Sequence, residues 1–134
     1  MKQWVIDTNV IVSGLMTPSG SSAQIIDAIL NGQVKLVYDS RILKEYRDVL
    51  SRPRLKLPPM KIQALLVSMH RQLLVSPRVS GIIGPDSDDI IFIEAALATT
   101  DKTIITGNLA HFPVKILQGV RILTPVQALA ELSY

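Results

Sequence analysis

The chain has 134 residues, 48% apolar and 19% charged, enough for one hydrophobic core and too apolar for a disordered segment. It has no cysteine, which excludes a disulfide framework, a thiolate zinc site and a cysteine nucleophile. The formal charge of +3 weakly favours a polyanionic partner, and no apolar run approaches the roughly eighteen residues of a membrane span. Met1–Ile6 lacks the pattern of a signal peptide, so a cytoplasmic protein is expected, with residues 1–134 forming a single domain.

Gln3–Ile6 predicts a short buried strand that ends at Asp7. Asn9 to Ser22 is rich in Ser, Gly, Thr and Pro and reads partly as loop. Ser21 or Ser22 is placed to cap a helix carrying Ile25, Ile26, Ile29 and Leu30, which Gly32 stops. Val34–Tyr38 is a second strand. Ser40 then caps a helix through Leu50, with Ile42, Leu43, Tyr46, Val49 and Leu50 on one face. Arg52-Pro53 ends it, because the residue before proline avoids helical backbone. Pro58-Pro59 opens a helix to about Leu73, and Leu74–Val75 reads as a short strand. Gly81–Asp86 is a turn region. The next helix, Ser87 to Thr99, is apolar almost all round and therefore buried. Thr103–Thr106 is a strand, and Val114–Leu117 and Val120–Leu123 are strand candidates. Thr124-Pro125-Val126-Gln127 has the form of a capping box with proline at the first helical position. Short apolar strands alternating with helices predict an α/β fold, a parallel sheet with helices on both faces.

Such sheets bind ligands beyond the carboxyl ends of their strands. Asp7, Asp39 and Thr106 through Asn108 follow strands directly. Asp7 alone would serve equally well to cap a turn. On the 40–50 helix, with Ile42 at zero, the apolar residues span about −20° to 100° and Glu45 falls near −60°, at the rim of the buried face. There it is either a site residue or a salt-bridge partner of Arg41, four positions earlier. Asp88 and Asp89 open the apolar helix; they suit its dipole, and only one of the two can face a given site well. If Asp7, Glu45 and Asp89 converge, their repulsion is relieved by a cation, and hard oxygens with few carboxylates suit Mg²⁺ or Mn²⁺. Residues 41–61 carry seven Lys and Arg against two acids, a net +5, which leaves the rest of the chain at −2. That cluster, with Arg41, Lys44, Arg47, Arg52 and Arg54 at its centre, is either a solvated surface or a footprint for phosphate backbones. A metal that activates water beside bound phosphates describes phosphodiester hydrolysis.

The blocks VIDTNVIVSGL, LVYDSRILKEYRDVLSRPRL, DSDDIIFIEAA, IITGN and ILTPVQAL, in this order and at this spacing, resemble the PIN-domain family over nearly the whole chain. The nearest branch is that of the small prokaryotic VapC-like toxin nucleases. The resemblance implies a three-layer α/β/α sandwich around a central parallel sheet, and metal-dependent cleavage of RNA. It matches the family's acids to Asp7, Glu45 and Asp89, with Asp88 as the alternative to the last. It matches the small polar residue to Asn9 and the hydroxyl at the strand end to Thr106. It also implies Mg²⁺ or Mn²⁺, a small antitoxin that blocks the acidic cleft, and a homodimer. One departure stands out: many members carry a fourth acid where this chain has Asn108, and Asp86 is a candidate to compensate. Asn108 supports a competing reading, a PIN fold that binds RNA or protein with weak or no catalysis. A phospho-receiver is disfavoured because the acidic pair opens a helix instead of following strand one. Neither G-x-G-x-x-G nor a P-loop lysine pattern is present. His70 and His111 read as surface or packing residues, Trp4 as core, and 4% aromatics offer little stacking platform for bases.

Overall fold

A computed structural model describes residues 1–82, 87–113 and 117–132, and of Ser87 and Asp88 the backbone alone. Among the described residues, five strands, β1 (Lys2–Ile6), β2 (Val34–Tyr38), β3 (Leu73–Leu74), β4 (Thr103–Ile105) and β5 (Arg121–Leu123), form one sheet in the order β3-β2-β1-β4-β5. Every pairing is parallel. Six α-helices of the described residues join them: α1 (Thr8–Met16), α2 (Ser21–Leu30), α3 (Ser40–Leu50), α4 (Pro59–Ser68), α5 (Ser87–Ala96) and α6 (Pro125–Glu131). The helices α2 and α6 pack on each other, as do α3 and α5, and α5 lies against β1, β2 and β4. This is the three-layer α/β/α arrangement.

Coverage on both faces explains why the central strands are continuous apolar runs instead of alternating ones. Trp4, Val5, Ile6, Ile104 and Ile105 are fully buried. The all-round apolar α5 is buried as well, with Phe92, Ile93, Ala95 and Ala96 inaccessible or nearly so. Strand order reverses between β1 and β4, so the chain following each of them meets at one edge of the sheet. There the Asp7 amide donates to the Ile105 carbonyl at 2.9 Å.

Several local expectations are corrected. The segment after Asp7, read partly as loop, is the helix α1; only residues 17–20 form the turn. Val10, Ile11 and Leu15 are buried at helical spacing, and that burial outweighs the poor helix propensity of Val, Thr and Gly. Gly14 is a packing residue: a Cβ there would stand 2.6 Å from Ile26 Cγ1 and 2.8 Å from the Ser22 carbonyl oxygen. Gly20, not Ser21 or Ser22, occupies the N-cap of α2. Asp39, not Ser40, caps α3, accepting from the Arg41 and Ile42 amides at 2.9 and 3.0 Å. The carboxylate suits this place because it accepts two of the orphan amides at once. The helix α4 stops at Ser68 and gives way to a 3₁₀ turn, Met69–Arg71, before β3. The helix α5 ends at Ala96, where Thr99 Oγ1 folds back onto the Ala96 carbonyl. The capping box of α6 is present in both directions, and Gly32 ends α2 at φ +88°. Residues 83–86 of the expected turn and 114–116 of a strand candidate lie outside the described residues.

Candidate active site

Asp7 stands at the carboxyl end of β1 and the N-cap position of α1 and is only 6% exposed. Its Oδ2 accepts from Thr106 Oγ1 at 2.7 Å, and Thr106, at the end of β4, is fully buried. Adjacency of β1 and β4 is what unites two residues far apart in sequence. Burial pushes the Asp7 carboxyl above its usual value; the Thr106 hydroxyl, the Asn9 and Thr8 amides and nearby His111 offset this only in part. An ionised Asp7 therefore gains from a neighbouring cation.

Glu45 lies in the second turn of α3, half-buried, and accepts from Thr8 Oγ1 at 2.5 Å. The alternative of an ion pair with Arg41 is not what the structure shows. Arg41 turns to Asp39 at 2.9 Å and to Glu94 of α5 at 2.8 Å. Beside Glu45, the buried Tyr46 hydroxyl donates to the Ile6 carbonyl at 2.5 Å, fastening α3 to the end of β1. Burial, reinforced by the Asp7, Glu45 and Asp39 charges, pushes its phenol well above the usual value, so it stays a neutral donor. Asp89, in the first turn of α5, is 9% exposed, and its Oδ1 lies 3.6 Å from His111 Nδ1. The side chain of Asp88, and Asp86 altogether, lie outside the described residues.

Asp7, Asn9, Glu45 and Asp89 line one cavity of about 480 Å³, with Arg52, Arg54 and His111 also on its wall. Thr106 and Asn108 are not on that wall; Thr106 supports Asp7, and the Asn108 amide donates to Thr106 Oγ1 at 3.0 Å. The basic cluster divides. Arg41, Lys44 and Arg52 line a second cavity of about 630 Å³, which shares Glu45, Val49 and Arg52 with the first. Arg47 faces a separate groove between α3 and α4. Among the described residues, no group of three or more His, Asp or Glu side chains closes into a ready-made metal cage. The donor set is nonetheless hard oxygen throughout, and Mg²⁺ keeps several waters instead of demanding an all-protein shell.

A PIN-domain family model matches residues 3–110, a span that takes in Asp7, Glu45, Asp89, Thr106 and Asn108. The chain belongs to the PIN-domain family. An uncharacterized protein of Methanocaldococcus jannaschii, MJ1680, is 30% identical over 108 residues, covering 78% of this chain and 69% of the relative. No solved structure matches the chain. Membership gives the PIN domain a nuclease-type function, and PIN nucleases generally use divalent metal ions. No helix among the described residues is long and apolar enough to cross a membrane.

Sequence reasoning missed three residues that support the acids of this cavity. Thr8 and Tyr46 lie directly beside Asp7 and Glu45 in sequence, and each makes a contact that only strand and helix packing creates. His111, read as a surface or packing residue, has a half-exposed ring but stands over Asp89. Nothing in the spacing of a lone histidine carries that signal. His70 is an exposed residue and Trp4 is core, both as expected.

Proposed function

We propose that this PIN domain is a metal-dependent endoribonuclease acting in the cytoplasm, with Asp7, Glu45 and Asp89 as the acids that hold Mg²⁺ or Mn²⁺. The observation that carries this reading is the shared cavity. Three carboxylates from three separate elements line it, and two arginines on its wall, Arg52 and Arg54, form no ion pair among the described residues. When bound, such an ion supplies Lewis-acid chemistry, activating water and offsetting charge on a phosphoryl oxygen. The chain's own residues do the rest. Thr106 and Thr8 fix the carboxylates of Asp7 and Glu45 by direct hydrogen bonds. Asn9 lines the cavity beside them and orients water. Arg52 and Arg54 hold backbone phosphates, and Lys44 and Arg41 extend that track along the second cavity across the Glu45–Arg52 ridge.

The test is cleavage of a mixed set of short RNAs with Mn²⁺, Mg²⁺ or chelator, beside Asp7→Asn and Asp89→Asn proteins. Metal-dependent cutting that both variants lose is the expected result. Cutting that survives either substitution overturns the site. A second reading, an RNA- or protein-binding PIN fold without catalysis, is favoured by Asn108 in place of an acid. It predicts RNA retention with no cutting under any metal. The finer assignment, the toxin of a toxin–antitoxin pair, is supported by the VapC-like sequence blocks. Expressed in a bacterial host, the chain then arrests growth, its Asp7→Asn form does not, and a small antitoxin or a second copy of the chain co-purifies with it.

A further inference from the structure

Asn108 stands where a fourth acid was expected, yet its side chain is engaged. Its amide nitrogen lies 2.9 Å from His111 Nε2, and the other ring nitrogen, Nδ1, stands 3.6 Å from Asp89 Oδ1. On its backbone side, the Asn108 N–H donates to Thr106 Oγ1, which in turn donates to Asp7 Oδ2. One short segment, Thr106 to His111, therefore runs from the acid of β1 to the acid of α5. An amide N–H only donates, so the ring nitrogen it meets is an acceptor and a neutral ring carries its proton on Nδ1. That places an N–H toward the Asp89 carboxylate, a few tenths of an ångström beyond hydrogen-bond range.

We propose that His111 is a positioning residue for Asp89, that Asn108 sets its tautomer, and that the Asn108–His111 pair replaces the fourth acid instead of marking a lost ligand. The inference rests on the metal-site reading above. Groups that orient metal ligands through a second hydrogen bond typically contribute about 10- to 100-fold to metal affinity. Here the orienting ring sits at the cavity wall and its own partner sits behind it.

The experiment is calorimetric titration of Mn²⁺ into metal-free protein, with a thermal melt of each variant to confirm folding. His111→Ala and Asn108→Ala should each weaken Mn²⁺ binding about tenfold, and the double variant should be no weaker than either, because Asn108 acts through His111. His111→Asn, which can present an N–H near the Nδ1 position, should recover part of the affinity and become indifferent to residue 108. Unchanged affinity in His111→Ala, or additive effects of the two alanines, each overturn the inference. The metal site itself then still stands, provided Asp7→Asn abolishes binding. If the unaltered protein binds no Mn²⁺, the inference and the metal-site reading fall together.

Discussion

Asp7 combines two opposed demands, burial at the strand end and a charge that its proposed function requires. Its carboxyl is raised by burial, so the stability it contributes is full below the ordinary aspartate value of about 3.9 and is lost as pH rises through its raised folded value. At pH 7 without metal, Asp7→Asn should therefore melt at a higher temperature than the unaltered protein. Added Mn²⁺ should raise the melting temperature of the unaltered protein only; a melt in chelator and in Mn²⁺ checks both signs. The convergence of Asp7, Glu45 and Asp89 on one cavity was legible in the sequence because each sits at a position whose geometry is local: a strand end, a helix rim, a helix start. Thr106 was legible for the same reason. His111 was not, since it reaches Asp89 through a 3₁₀ turn, Leu109–His111, that follows no periodicity. Arg41 illustrates the opposite failure. A cation four residues before Glu45 offered an intrahelical pair, but the N-cap acid Asp39, two residues away, and Glu94 of α5 hold Arg41 at 2.9 and 2.8 Å instead.

Among the elements, α1 and α5 position the site, and each depends on a contact outside itself. The close approach of α1 to α2 is set by Gly14. Alanine there gains helix propensity of about 1 kcal/mol, but the added methyl meets a backbone oxygen that cannot turn aside. Overpacking costs of about 1–3 kcal/mol prevail. Net of the propensity gain, up to about 2 kcal/mol of destabilisation remains, so Gly14→Ala should lower the melting temperature by up to roughly 8 °C in a thermal scan. The sequence could not show this, because a glycine among Val, Ser and Leu looks like a loop residue until its neighbour is known. For α5 the anchor is Glu94, which accepts from Ser80 and Arg41. Burial acts to raise its carboxyl, but the Ser80 amide, Arg41 and the Ser80 hydroxyl together hold it below the usual value. The stability it contributes is therefore present above the ordinary glutamate value of about 4.3 and is lost as pH falls through its lower folded value. Glu94→Gln should be less stable than the unaltered protein at pH 7, with the gap closing as the pH falls through that window, as read by urea unfolding.

Across the whole molecule, the basic cluster that looked uniform in sequence is split by the turn of α3 among two connected cavities and a separate groove. Linear charge counting cannot show this, whereas the α/β order was plain because parallel strands leave continuous apolar runs. If RNA follows the acidic cavity, Arg52→Ala with Arg54→Ala should weaken binding of single-stranded RNA and reduce the salt slope by about 1.4, roughly 0.7 per lost phosphate contact. Arg47→Ala should leave both nearly unchanged; anisotropy titrations at several salt concentrations decide. The sheet order also governs when the proposed site is assembled. During synthesis β1 and β2 emerge early with Asp7 and Glu45, but Asp89 follows more than forty residues later, and β4 with Thr106 later still. Since β4 must slot beside β1 to complete the cavity, a nascent chain on its ribosome has no assembled site for most of translation. If the chain is the ribonuclease proposed above, it is harmless to its own message until β4 has left the tunnel.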